Sequence, residues 1–240
     1  MALPRIATAD VLRTLEELYP DAQCALHHQN PFELLIATIL SAQCTDKRVN
    51  QITPKLFSRF PTPKDLAQAD ISEVESLIME CGLFKMKAKN IVGTSQALVA
   101  NYDSQVPRDM EKLTQLPGVG RKTANVVLSN AFGIPAIAVD THVQRVSNRL
   151  GLAQSDNVLE TEQQLMKRIP KDRWSSAHHW LIEHGRQVCL ARSPKCELCS
   201  LATYCRYFKA QAKLRGKARS RAKAASLMDD AGNDVGSKTM

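Results

Sequence analysis

The sequence predicts an all-α protein. Apolar residues recur at helical spacing along most of the 240 residues, and the alternating pattern of a half-buried strand is scarce. An explicit start signal stands at Asn30, which offers an N-cap before Pro31, and Glu33 is placed to cap back. Periodicity and capping therefore indicate helices, with no sheet to pack them on.

The helices follow in order from this start signal. The segment after Pro31 has little polar face, which predicts deep burial. A second helix is expected from about Asp46 to Phe60, closed by Pro61 and Pro63. The periodicity predicts further helices over Ile71–Cys81, Lys85–Tyr102, Asp109–Gln115, Lys122–Phe132, Thr141–Leu150, Val158–Ile169 and Ser175–Val188.

The charge balance favours a polyanionic partner. The formal net charge is +8 and the isoelectric point is about 9.2, which suits contacts with DNA phosphates, although many basic proteins bind no nucleic acid. No apolar stretch approaches the roughly 18 residues that a membrane span requires. The N-terminal residues do not resemble a secretory signal. We therefore expect a cytoplasmic protein without a membrane partner.

Seven cysteines raise the question of a metal centre, because a reducing compartment disfavours disulfides. Cys189, Cys196, Cys199 and Cys205 form the pattern C-x6-C-x2-C-x5-C. Four thiolates can hold either a [4Fe–4S] cluster or zinc. The remaining cysteines, Cys24, Cys44 and Cys81, are interpreted as buried thiols.

The stretch from Leu116 to Ala124 predicts an anion site. A proline and two glycines end one helix, and a new helix begins near Arg121, with its free N–H groups pointing outward. A P-loop would need a glycine directly before the lysine, where Arg121 stands. A plain corner between two helices explains the glycines alone. The candidate DNA contacts in this stretch are Pro117, Gly118, Val119, Gly120, Arg121 and Thr123.

This stretch resembles a helix-hairpin-helix element, and Gly133-Ile134-Pro135 followed by Asp140 completes the resemblance to the glycosylase superfamily with this hairpin. Within it, the chain is most similar to the endonuclease III family, over about residues 8–208. The resemblance implies a two-lobed helix-hairpin-helix glycosylase fold with a C-terminal iron–sulfur cluster loop. We expect a central lobe over 25–135, a second lobe over 1–24 plus 136–208, and a disordered basic tail over 209–240, which binds phosphates or merely aids solubility.

The resemblance assigns the chemistry to Lys122 and Asp140. A neutral amine can attack C1′ of a damaged nucleotide and form a Schiff base, and the helix start and Arg121 both favour the neutral form of Lys122. Asp140 would help to deprotonate the attacking group and stabilise charge on the sugar. Taken alone, Lys122 also fits a phosphate-contacting cation, and Asp140 fits a helix N-cap.

Three further DNA-contacting residues are implied by the same resemblance. Gln43 and Leu83 are expected to fill the gap that an extruded nucleotide leaves in the stack. Phe84 stands where the family often has tyrosine, so the contacts with the DNA strand near Leu83 are expected to differ from those of other family members. His142 is a candidate pocket residue or a structural one, and His178, His179 and His184 are interpreted as structural.

The cysteine spacing is that of endonuclease III relatives, which favours a [4Fe–4S] cluster over zinc. Arg192 and Lys195, between the first two ligands, would then face DNA phosphates. The predicted function is a glycosylase with an abasic-site lyase step that acts as a monomer on oxidised pyrimidines in duplex DNA at the nucleoid. The alternatives are a non-catalytic iron–sulfur DNA-binding or redox-sensing protein, and a glycosylase with another lesion preference.

Overall fold

A computed structural model describes residues 7–214 and Gly216, and the part of the chain it describes is helical and contains no β-strand. Its α-helices are α1 (Thr8–Leu18), α2 (Pro31–Leu40), α3 (Asp46–Arg59), α4 (Pro63–Ala67), α5 (Ile71–Ile78), α6 (Phe84–Asn101), α7 (Met110–Thr114), α8 (Arg121–Phe132), α9 (Thr141–Leu150), α10 (Val158–Arg168) and α11 (Trp174–Gln187). Short 3-10 helices cover Lys171–Arg173 and Cys196–Leu198, and residues 206–214 are again helical. The predicted all-α fold is confirmed.

The capping signal at Asn30 works as the sequence predicts. The Asn30 side chain accepts a hydrogen bond from the Glu33 amide, and Pro31 is the first helical residue. All residues from Phe32 to Leu40 except Glu33 are buried, so α2 runs through the middle of a core. The central position of α2 follows from its lack of a polar face.

Helices α1 and α4 were not predicted from periodicity. Pro63 was expected only to close α3, but it opens α4, where Thr62 and Asp65 form a reciprocal capping box. Helix α1 packs Val11, Leu12 and Leu15 into a core that the distant C-terminal half of the chain supplies. A five-residue helix and a chain terminus both carry too little periodicity to be recognised without their surroundings.

The apolar side chains gather in two clusters. One includes buried residues from Leu26 to Leu128, and the other joins Val11–Tyr19 to residues between Ile137 and Cys205. This membership supports our proposal of a central lobe over 25–135 and a terminal lobe over 1–24 with 136–208. The terminal lobe brings the N-terminal helix α1 against α11.

The proposed tail begins differently from the expectation. Residues 209–214 continue the helix that starts at 206, because Tyr207 and Phe208 pack against the terminal cluster and anchor this segment. The remainder of the predicted tail, apart from Gly216, lies outside the described residues. Among the helices that are described, none combines the length and apolar character needed to cross a bilayer.

Candidate DNA-repair site between the lobes

The predicted hairpin lies between α7 and α8 and is fixed against α6. Gly118 has a φ of +73°, and a Cβ there would lie 2.8 Å from the Asn90 side chain, so only glycine fits. Thr94 donates a 2.6 Å hydrogen bond to the Pro117 carbonyl. Gly120, in contrast, faces open space, with no atom within 4 Å of a built Cβ. The hairpin is therefore rigid on its α6 side and open towards solvent.

Two of the hairpin residues proposed to contact DNA have side chains that are occupied within the protein. Val119 is only 5% exposed and belongs to the central core, so its main chain alone is left for such a contact. Arg121 turns towards α10 and forms a bidentate ion pair with Glu162, with distances of 2.7 to 3.1 Å. The carboxylate of Glu162 is 4% exposed, so this pair is partly desolvated and ties α8 to the terminal lobe.

Lys122 is the second residue of α8 and is exposed at the start of the helix. It lines a cleft together with Asp140, which caps α9. The cleft lies between the two proposed lobes, with walls from the chain segment 23–26, α2, α8 and α11. The structure thus brings together the two residues assigned to the chemistry, although they lie on different helices and in different proposed lobes.

Asp140 caps helix α9 and also faces the cleft. Its Oδ1 accepts hydrogen bonds of 2.8 Å from the amides of His142 and Val143, and its Oδ2 lies 3.4 Å from Nδ1 of His142. Burial alone would raise the pKa of Asp140, but the Val143 amide and the positive charge of Lys122 outweigh burial and lower it. The carboxyl group is therefore ionised at neutral pH beside the lysine.

Two histidines interpreted as structural lie in the wall of the same cleft. His178 is 4% exposed, and burial lowers its pKa to about 3, while the neighbouring His179 has a pKa lowered by burial to about 4. Both rings are therefore neutral at physiological pH. His179 also bonds Asn130 of α8 at 2.8 Å, which links the lobes. His142 lines the adjoining part of the cleft, as expected for a pocket residue.

An ion pair between Asp46 and Arg186 crosses the cleft and was not predicted from the sequence. Asp46, at the start of α3, lies 2.6 Å from Arg186, in the last turn of α11, and both side chains line the cleft. A first-turn acid and a last-turn base are common features of any helix, because they complement its dipole. Nothing in the spacing of residues 46 and 186 indicates that they meet.

Gln43 and Leu83 lie on two neighbouring loops, and Cys44, beside Gln43, lines the cleft. Both have left-handed backbone conformations, with φ values of 53° and 60°, which are unfavourable for residues other than glycine. Leu83 is 50% exposed despite its apolar side chain. A Cβ at Gly82 would lie 3.7 Å from the Gln43 carbonyl oxygen, so the two loops run side by side. Strained backbone and an exposed leucine are compatible with side chains held ready for a ligand.

The four cysteines of the C-terminal pattern line one small apolar cavity. Burial raises the pKa of Cys199, and the other three thiols raise it further. Within the described residues, no group of three or more histidine, cysteine, aspartate or glutamate side chains is spaced to hold a single metal ion. Sulfurs around one zinc would lie about 3.8 Å apart, given Zn–S bonds of about 2.3 Å. A four-iron cluster binds each thiolate through a different iron, so this donor set fits the cluster.

Helix α9 connects the cysteine loop to the cleft. Asp140 begins this helix, and Arg145 and Arg149 follow on the face that meets the loop. Arg149 donates to the carbonyls of Leu190 and Ala191 and lies 3.5 Å from Cys189 Sγ. Arg192 and Lys195, the candidate phosphate contacts, are exposed on the same loop. The order of this loop therefore bears directly on the position of α9.

The third buried histidine, His184, lies beside the cysteines. Its Nε2 is 3.6 Å from Cys199 Sγ, and its Nδ1 is 3.0 Å from the hydroxyl of Tyr19. Burial lowers the pKa of His184 to about 4, so the ring is neutral and can donate from only one nitrogen. These contacts support the proposal of a structural role for His184.

Comparison with known proteins identifies two matching family profiles. Residues 36–171 match the HhH-GPD superfamily of base excision DNA repair proteins, and residues 189–205 match the iron–sulfur binding domain of endonuclease III. The second match begins and ends at the first and last cysteines of the pattern.

Individual relatives agree with these profiles. The chain is 50% identical over 196 residues to endonuclease III of Bacillus subtilis strain 168, covering 81% of this chain and 90% of the relative. It is 45% identical to that of Escherichia coli K12, covering 82% and 94%. A trapped covalent intermediate of an endonuclease III with DNA has a similar structure, with a TM-score of 0.82 and 50% identity, covering 87% of this chain and all of that one.

Proposed function

Because this chain belongs to the endonuclease III family of HhH-GPD base excision DNA repair proteins, we propose that Lys122 is its nucleophile and Asp140 its catalytic carboxylate. The protein is a DNA glycosylase and abasic-site lyase that carries a [4Fe–4S] cluster. The observation that carries the assignment is the shared cleft, in which the positive charge of Lys122 helps to lower the pKa of Asp140.

The reaction starts with the loss of a proton from the Lys122 ammonium group. The amine attacks C1′ of the extruded nucleotide, and the damaged base leaves with the electrons of its glycosidic bond. The C1′–O4′ bond then breaks, with the second amine proton passing to O4′, and this ring opening gives the Schiff base. The Schiff base makes the C2′ proton acidic, and removal of that proton expels the 3′ phosphate. Ionised Asp140 stabilises the positive charge that develops on the sugar, and its Oδ1 stays engaged with the amides of α9.

The hairpin is proposed to hold a phosphate of the damaged strand next to this lysine. Helix α8 has 12 residues, and its N-cap, Gly120, supplies no side-chain hydrogen bond to the first-turn amides. Those amides remain available to a phosphate, and Pro117, Gly118 and Thr123 lie on either side of them. With Arg121 committed to Glu162, the main chain of the hairpin is the principal anion ligand.

Gln43 and Leu83 are proposed to enter the duplex where the target nucleotide has left the stack. Both residues are exposed and lie on neighbouring loops, the first of which borders the cleft through Ser41 and Cys44. An apolar wedge such as Leu83 compensates for part of the lost stacking energy. His142, Arg192 and Lys195 are proposed as further contacts to the bound duplex.

The four cysteines are the proposed ligands of the cluster. Cys189, Cys196, Cys199 and Cys205 share one cavity, and the loop between them presents Arg192 and Lys195 to solvent. The four thiolates would hold the bound cluster, and their attachment to it would fix the fold of this loop. We therefore propose that the cluster positions the loop, with Arg192 and Lys195, and takes no part in bond breaking.

The preferred lesion is proposed to be an oxidised pyrimidine in duplex DNA. The similarity to endonuclease III relatives over more than four-fifths of the chain supports this substrate class. We propose further that the protein acts as a monomer and, because chromosomal DNA is its proposed substrate, that it acts at the nucleoid.

Borohydride trapping tests this function. The protein is incubated with a duplex that contains thymine glycol, and borohydride is added to reduce any Schiff base. We expect a covalent adduct with the unaltered protein and none with Lys122→Gln, which keeps a flexible polar side chain of nearly the same size but lacks the amine. An adduct that persists in Lys122→Gln would contradict the assignment. Trapping with an abasic duplex, but not with thymine glycol, would contradict the lesion class alone.

A further inference from the structure

Two cysteines outside the iron–sulfur pattern lie directly beneath the residues proposed to enter the duplex. We define the wedge loops as residues 41–45, between α2 and α3, and 79–83, between α5 and α6. Cys44 follows Gln43 in the first loop, and Cys81 precedes Leu83 by two residues in the second. Their Sγ atoms are 3.7 Å apart. The two thiols therefore bridge the loops at their base.

The two sulfurs differ in exposure. Cys44 is half-buried and lines the open part of the cleft near Lys122 and Asp140, whereas Cys81 is fully buried in the central core. Burial raises the pKa of Cys81 to about 12. A dissolved oxidant therefore meets Cys44 first, and Cys81 is available only from within.

A buried cation lies next to the inner thiol. Lys87 is 3% exposed, and its Nζ has no hydrogen-bond partner within the part of the chain that the structure describes. Its charge acts against burial and lowers the pKa of Cys81. Burial keeps Cys81 a thiol at rest, and the Lys87 charge favours its thiolate during an exchange reaction.

We propose that Cys44 and Cys81 form a thiol–disulfide modification site, where a low-molecular-weight disulfide of the glutathione class couples the two wedge loops and weakens the protein's hold on DNA. The effect on DNA rests on the proposed roles of Gln43 and Leu83. The formation of the disulfide does not. Disulfides in reducing compartments are typically transient and regulatory, which suits this assignment.

The chemistry consists of two thiol–disulfide exchanges. The Cys44 thiolate attacks one sulfur of the oxidant, forms a mixed disulfide and releases one thiolate. Cys81 then loses its proton, assisted by the adjacent Lys87 charge, and attacks the Cys44 sulfur, which expels the second thiolate. The two protons from the cysteines end on the two released thiols. The protein is oxidised by two electrons, and the oxidant is reduced by two.

The disulfide bond must draw the loops together. Its sulfurs lie about 2.05 Å apart, so the present 3.7 Å separation shrinks by about 1.6 Å. Both loops already contain a left-handed residue, Gln43 in one and Leu83 in the other, so they have little freedom to absorb the change. The ion pair between Arg48 and Glu80 also ties the second loop to α3. The contraction therefore displaces the wedge side chains.

The test uses the cluster-loaded protein and oxidised glutathione, with the visible absorption of the cluster recorded throughout. Peptide mapping should find the Cys44–Cys81 disulfide in the unaltered protein and none in Cys81→Ala. Affinity for a duplex with a tetrahydrofuran abasic analogue should fall about fivefold or more on oxidation and recover with dithiothreitol. Cys81→Ala should keep its affinity under the same treatment. Bound duplex should also slow the oxidation, because it covers Cys44.

Failure to detect the disulfide, or equal loss of affinity in Cys81→Ala, overturns the proposal. A disulfide that leaves DNA affinity unchanged overturns the coupling to the wedge loops. The reduced Leu83→Ala variant tests the wedge separately: if it binds the abasic analogue as tightly as the unaltered protein, the proposed role of Leu83 fails while the mapped disulfide stands.

Discussion

At the scale of single residues, Asp140 shows how one carboxylate serves the fold and the site together. Its Oδ1 holds the first amides of α9, while its Oδ2 faces His142. The pKa of Asp140 in the folded protein lies below the usual value for an aspartate. At any pH above that usual value, ionised Asp140 therefore stabilises the folded state. This stabilisation is lost as the pH falls through the lowered pKa. Acidification thus removes the charge and weakens the helix start together.

Replacing Asp140 with asparagine separates these two effects. Asparagine caps a helix about as well as aspartate, so thermal stability and affinity for an abasic-analogue duplex should change little. The loss of the negative charge should slow single-turnover base release by about 10²- to 10⁴-fold. Quench kinetics and a binding titration on the same preparation check this. A loss of affinity as large as the loss of rate would reject the catalytic role.

The ion pair between Arg121 and Glu162 makes an asymmetric prediction for stability. Arg121→Ala leaves a buried carboxylate without its partner and should cost about 2 kcal/mol, at the lower end of such effects because the guanidinium is half-exposed. Glu162→Gln leaves an arginine that water can solvate and should cost less. Adding Glu162→Gln to Arg121→Ala should therefore restore stability in denaturant titrations. Equal costs for the single variants would contradict a desolvated pair.

At the scale of the element, the hairpin depends on the contrast between its two glycines. Gly118 has positive φ and touches Asn90, whereas Gly120 has an extended backbone and open surroundings. The first glycine is needed for the fold of the turn. The second leaves room for a phosphate to approach the amides of α8.

Alanine at each position provides a matched pair. Gly118→Ala should lower the free energy of unfolding by about 2 kcal/mol, since the left-handed conformation alone costs about 1–2 kcal/mol and the added Cβ meets Asn90. Gly120→Ala should leave the melting temperature within about one degree and should weaken only DNA binding. Calorimetry and a binding titration measure the two effects. Equal destabilisation by both changes would refute this division.

At the scale of the whole molecule, the cysteine cavity and the cleft share α9. Arg145 donates to the carbonyls of Gly185 and Cys189, and Arg149 holds the residues that follow. Order in the cysteine loop therefore passes to the helix that begins with Asp140. The cluster can affect DNA binding through this connection without touching the substrate.

Removal of one proposed ligand tests this connection. Cys199→Ala should abolish the visible absorption of the cluster, lower the melting temperature and weaken DNA binding more than it slows base release from bound DNA. Cys81→Ala provides a control, since it removes a buried thiol from the other lobe and should keep the absorption. Retention of a full cluster by Cys199→Ala would contradict its assignment as a ligand.

The sequence by itself determined the helical fold, the hairpin and the four-cysteine pattern, because each is a local pattern of spacing, capping or turn chemistry. Only the tertiary structure decided which distant residues meet. Arg121 faces Glu162 instead of the cleft, Asp46 meets Arg186 across that cleft, and His178 and His179 line it. These pairings depend on how two lobes pack, and packing joins residues whose separation along the chain leaves no periodic signal.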